Sequence, residues 1–293
     1  MFKRIDEHHH DILSRAIWNP LPVQRPAKSN FLSGLPRAGL FALTLLTPRL
    51  DATELEPAWQ ALSRGFHQEA AELFRAIADT PASRLGASLS ALNSATTTVT
   101  ALNEIHREWE ALAITAGEPA RAARYLLGRW YQLHPYTPDP LAAADQYRQL
   151  ISSATDDLWH RLAVVKLAIL HLTALPQPAG LDARLAEADA LLRETTDPVT
   201  KRDLHLVIAE VRLHHRRYDA GTRDHLLATL DTAAPADLRA DLLIQIARLS
   251  QLLKEPTVAR SYYQRFMREH PLDPRCSMVG LILAGGETPG PAS

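Results

Sequence analysis

The sequence predicts an all-α protein made of antiparallel helix pairs, and three observations carry that prediction. From about residue 53 onward, apolar side chains return every three or four positions, the period that gathers them on one helix face. Alanine and leucine dominate the apolar set, while aromatics make up only 6% of the 293 residues. That mixture favours helices packed closely through small side chains. No hairpin signal of the asparagine-glycine type occurs anywhere in the chain.

Residues 1–52 stand apart from this pattern. The stretch from Asn19 to Ser29 holds Pro20, Pro22 and Pro26 among polar residues, so it reads as an extended linker that gains nothing by burial. The apolar run 38–47 follows Arg37 and precedes Leu50-Asp51-Ala52. Ten residues are too few for a spanning helix, which takes about 20, but they suit the hydrophobic region of a secretory signal. Basic flank, apolar run and small residue stand in the order a signal needs, with Val23 as a candidate later start. The expectation is a cleaved segment and a periplasmic or secreted protein, against a short buried helix in a cytoplasmic one.

The first helix pair is expected over 53–64 and 67–79, broken at Gly65. Two helices follow in 82–116, weakened by the β-branched run Thr96 to Thr100, which loses rotamer freedom in a helix. The next is expected to begin at Pro119 and to stop before Pro135; another occupies 140–153, with Ala143 and Tyr147 four positions apart. Asp156-Asp157 opens a helix that is apolar nearly all round, from Leu158 to Leu172, as a central helix covered on several sides would be. Residues 181–194 follow, then the pairs 199–217 with 219–231 and 236–253 with 256–269. Residues 284–293 read as a disordered tail.

The last of these pairs carries a family resemblance. In 242–250 apolar residues line one face, Pro256 suits a first helical turn, and Ala259, Tyr263 and Phe266 share a side of the second helix before His270-Pro271 closes it. Ala70, Phe74 and Pro81 echo the same arrangement. The pattern resembles degenerate tetratricopeptide repeats, in which a small residue lets two helices approach, an aromatic four positions later fills the gap, and a proline ends the unit. Where that family has tryptophan, leucine, glycine and tyrosine, this chain has Leu243, Ile246, Ala247 and Ser250. The resemblance implies a right-handed α-solenoid over 53–283, a superhelix of about six pairs. Ala70, Phe74, Ala259, Tyr263, Phe266 and Pro271 would serve its repeat packing. It also implies a non-catalytic scaffold whose concave groove holds a peptide or protein segment.

Charge and chemistry fit that expectation. Thirty-two basic residues nearly balance 33 acidic ones, for a net charge of −1, so no global field draws the chain to nucleic acid or to an anionic membrane. A single cysteine, Cys276, excludes an internal disulfide and a thiolate zinc cluster. His8-His9-His10 reads as adventitious metal affinity, and His214-His215-Arg216-Arg217 as charge complementing a helix end. Asp156-Asp157 reads as a helix cap. No phosphate loop, metalloprotease histidine pair or nucleophile elbow is present. No catalytic, cofactor or metal residues are therefore assigned. Trp109, Trp130, Tyr131, Tyr136 and Trp159 cluster in the middle third, mostly as packing. Arg121, Arg124 and Trp130 share one helix and form the candidate partner-binding groove, where arginines favour an acidic target. Two other readings stay open: a helical enzyme or sensor with a small-molecule pocket in 109–170, and a cell-envelope assembly factor.

Overall fold

The computed structural model describes residues 52–93, 98–133, 138–153, 155–177 and 179–285. The apolar run 38–47, the histidines at 8–10, Tyr136 and the tail beyond residue 285 lie outside the described residues. Those described form thirteen helices and no strand: α1 Ala52–Ser63, α2 His67–Ala76, α3 Pro81–Leu92, α4 Val99–Ala113, α5 Glu118–Leu133, α6 Pro140–Ile151 and α7 Leu158–Thr173. After these come α8 Leu181–Glu194, α9 Pro198–His214, α10 Ala220–Asp231, α11 Ala236–Leu252, α12 Pro256–Glu269 and α13 Cys276–Leu283.

Local chemistry explains where the helices begin. Proline stands first in α3, α6, α9 and α12, where its missing N–H would have no intrahelical acceptor. Asp139, Asp157, Asp197 and Asp219 each accept a hydrogen bond from a backbone N–H of the helix they precede. Thr80 and Ser83 form a reciprocal capping box at α3. The threonine run turns out to supply a cap as well: Thr98 accepts from Ala101 N, and α4 starts at Val99. Helix α2 ends three residues earlier than expected, because the chain turns extended at Ile77 to reach the Thr80 cap ahead of Pro81. Helix α13 lies beyond the last helix expected from the sequence and is eight residues long, with Gly280 inside it.

The described residues divide into two compact units, one ending at residue 177 and one beginning at residue 179. In the first, each helix packs on the next from α1 to α7, and α1, α3, α5 and α7 also touch one another in succession. Its core holds Ala70, Phe74, Trp109, Leu126, Tyr147 and all of 163–170. The Phe74 and Trp59 rings pack T-shaped, with centroids 4.8 Å apart. Glycine is needed where an aromatic ring lies against a helix backbone: Gly86 under Phe74 and Gly128 under Tyr147.

In the second unit, α8 packs on α9, α9 on α10, and so on to α13 on α12. Ala259, Tyr263 and Phe266 are buried, and exposed Pro271 follows the helix they share. The Tyr263 hydroxyl donates to Gln251 Oε1 at 3.0 Å, and in the first unit Tyr147 does the same to Gln132 Oε1 at 3.2 Å. Both glutamines lie in the last two turns of the preceding helix. One packing solution therefore recurs in α5–α6 and α11–α12.

Three turns share a second recurrence. Gly65, Arg216 and Lys254 adopt positive φ, and the next residue's N–H bonds to a carbonyl five positions back: Phe66 to Ala61 (2.9 Å), Arg217 to Arg212 (2.8 Å), Glu255 to Ser250 (2.9 Å). Only the first places glycine where the left-handed region demands it. Lys254→Gly is therefore expected to stabilise the protein by about 1 kcal/mol, read as a higher urea midpoint at unchanged slope.

Arginine–carboxylate pairs also tie together elements that are distant in sequence. Arg84 meets Glu108 at 2.7 Å, Arg217 meets Asp182 at 2.8 Å, and Arg239 meets Glu269 at 2.7 Å. Hydrogen bonds from Arg239 and, against a smaller burial cost, from Arg265 hold the Glu269 carboxyl at about 2. Pairs this close to solvent contribute roughly 0–1 kcal/mol each, so they fix register more than they add stability.

Candidate functional site

Helix α5 carries the three residues expected to meet a partner, and its start is built for them. Gly117 turns the chain with φ +90°, and Pro119 enters the first turn. Arg121, one turn on, sends Nε to Asp157 Oδ2 at 2.5 Å, while the other oxygen of Asp157 accepts from His160 N at 3.0 Å. One carboxylate thus caps α7 and anchors α5. Glu118 stands beside this pair; its carboxyl is pushed up by burial and by the Asp157 charge, with Arg121 opposing.

Arg124 is held from two sides. Nη2 donates to the Ala113 carbonyl at the end of α4 at 2.6 Å, and Nη1 donates to Gln149 Oε1 on α6. Cations are favoured at such a helix C-terminus. Arg121 and Arg124 are therefore both half-buried and bonded within the chain.

Trp130 lies six positions beyond Arg124, roughly 9 Å along the axis, and it does not converge with the arginines. It stands edge-on to buried Trp109 at 6.1 Å and against His106 at 5.4 Å. His106 and Tyr131 also pack nearly at right angles, with ring centroids 5.5 Å apart. This His106, Trp109, Trp130 and Tyr131 cluster joins α4 to α5 across their turn. The sequence showed its aromatics but not His106, because nothing local marks which face of α4 meets α5. Burial raises the Tyr131 phenol, and the Glu110 and Asp139 charges add to that.

Among the described residues no three histidine, cysteine, aspartate or glutamate side chains converge to hold a metal ion. The Cys276 thiol donates to the His270 carbonyl at 3.1 Å. Asp156 meets Arg161 at 3.0 Å. Among the described residues no helix is long and apolar enough to cross a membrane. A second polar contact that the sequence did not reveal joins α9 to α10, where His205 and His225 bring their Nδ1 atoms to 2.9 Å. The two residues are 20 positions apart on different helices, and neither sits in a motif.

Compared with known protein families, the chain matches no family model, and no curated protein is a detectable relative.

Proposed function

We propose that this protein is a non-catalytic scaffold that holds an extended segment of another protein along a row of alternate helices. The observation that carries the proposal is the succession α1, α3, α5 and α7 in the first unit, each touching the next while α2, α4 and α6 lie between them in the chain. Repeated helix pairs set corresponding positions at regular intervals, which suits a ligand with a repeating backbone. The resemblance to tetratricopeptide repeats, which in this unit rests on Ala70 and Phe74, implies that such a row lines a concave wall. On α5 the half-buried Arg121, Arg124 and Trp130 favour a target bearing carboxylates and an apolar side chain. A carboxylate reaching Arg121 competes with Asp157, so such binding is modest in strength and sensitive to salt.

The test is cross-linking of the full chain to partners recovered from its native host, with the linked positions mapped. Links concentrated on α1, α3, α5 and α7 are expected. Links confined to α2, α4 and α6, or turnover of a small molecule without a protein partner, would overturn the reading. Arg121→Ala with Arg124→Ala is expected to weaken capture. Asp157→Asn is the control, because it breaks the same tie while keeping a side chain that caps α7. Equal loss in the control would assign the effect to structure.

A further inference from the structure

We propose that the facing imidazoles of His205 on α9 and His225 on α10 form an acid-sensitive latch, closed at neutral pH and released in acid. The 2.9 Å contact between their Nδ1 atoms requires one nitrogen to donate and the other to accept. The rings stand 5.1 Å apart at 52°, so the two nitrogens face each other with one proton between them. A second proton would set N–H against N–H at that distance, and the contact must open. Doubly protonated imidazoles and a closed α9–α10 contact exclude each other.

The same helix pair has a second tie that acid does not release in this range. Arg212, roughly 10 Å further along α9, meets both oxygens of Asp219 at 3.0 Å and Thr222 Oγ1 at 3.0 Å. Asp219 stays below the usual carboxylate range through hydrogen bonds from Thr222 and Arg212, which outweigh its burial. Opening therefore begins at the histidine end, with the turn still pinned.

The charged surroundings set the direction. Burial lowers both imidazoles, and His205 lowers His225 further. Asp189 on α8 favours the charged form of each, while Lys201 on α9 opposes it at His205. At His225, Arg212 on α9 opposes protonation and Asp224 on α10 favours it. With both folded values below the ordinary 6.5, the unfolded or opened state takes up protons first as pH falls. The latch contribution is complete above about pH 7 and is lost progressively below about 6.5.

Hydrogen exchange on the full chain tests this at about pH 7.5 and about pH 5.5. Neither α11 nor α12 contains a histidine, so this pair is the internal reference. Acid is expected to lower protection factors across α9 and α10 about ten-fold more than across α11 and α12. His205→Leu with His225→Leu should abolish that difference. An equal acid effect in the double variant, or none specific to α9–α10 in the natural chain, would overturn the proposal. Nitrogen-15 spectra of the unsubstituted protein give a check free of any folding defect. Near pH 7.5 one of the two rings should carry its proton on Nδ1 and the other on Nε2; both on Nε2 would refute the latch.

Discussion

Gly128→Ala is expected to destabilise the protein by about 2 kcal/mol, although alanine is the better helix former by about 1 kcal/mol. The added Cβ would fall 2.5 Å from Cε1 and 2.8 Å from Cζ of Tyr147. That ring has nowhere to go: it is fully buried, packed on Tyr125 at 5.9 Å, and tied through its hydroxyl to Gln132. Either α5 and α6 separate or the ring abandons its hydrogen bond. Urea melts of Gly128→Ala should show the loss, and adding Tyr147→Leu should offset part of it by removing the obstructing ring. Full stability in the single variant would mean that the two helices do not press together here. Gly86→Ala repeats the experiment in another place, with Phe74 ring atoms 2.3 Å from the new Cβ.

These glycines mark the boundary of what the sequence could tell. Periodicity, proline and aspartate placed nearly all the helices within a few residues, because caps and apolar faces are local properties. Ala259, Tyr263 and Phe266 carried enough spacing to foretell a shared face, and all three are buried. Gly86 and Gly128 sit inside helices, where glycine is unfavourable by itself, and their purpose lies in rings on neighbouring helices. Arg216 and Lys254 hide left-handed turns for the opposite reason, since their side chains carry no mark of positive φ. At the candidate site, sequence placed Arg121 and Arg124 on one helix but could not foresee Asp157, Gln149 and the Ala113 carbonyl as their partners. Those contacts span 36, 25 and 11 positions and depend on how α5 meets three other helices.

Trp109→Ala should produce the largest loss of any single change considered, about 3–5 kcal/mol. The indole is 2% exposed, and its Nε1 donates to Ser88 Oγ on α3 at 2.9 Å. Truncation leaves a cavity between α3 and α4 and removes a buried hydrogen bond. It also withdraws the ring on which Trp130 rests edge-on, so the effect reaches the helix proposed to meet the partner. Trp109→Phe separates these contributions: it keeps an aromatic ring beside Trp130 and forfeits the bond to Ser88, which should cost about 1–2 kcal/mol. Thermal melts followed by circular dichroism would rank the two variants. If Trp109→Ala lost less than about 1 kcal/mol, the indole could not be the packed junction of α3, α4 and α5 that its burial describes. If instead Trp109→Phe preserves partner capture while Trp109→Ala abolishes it at a temperature where both are folded, Trp109 is a positioning residue for Trp130. The groove would then depend on a side chain that itself never meets the ligand.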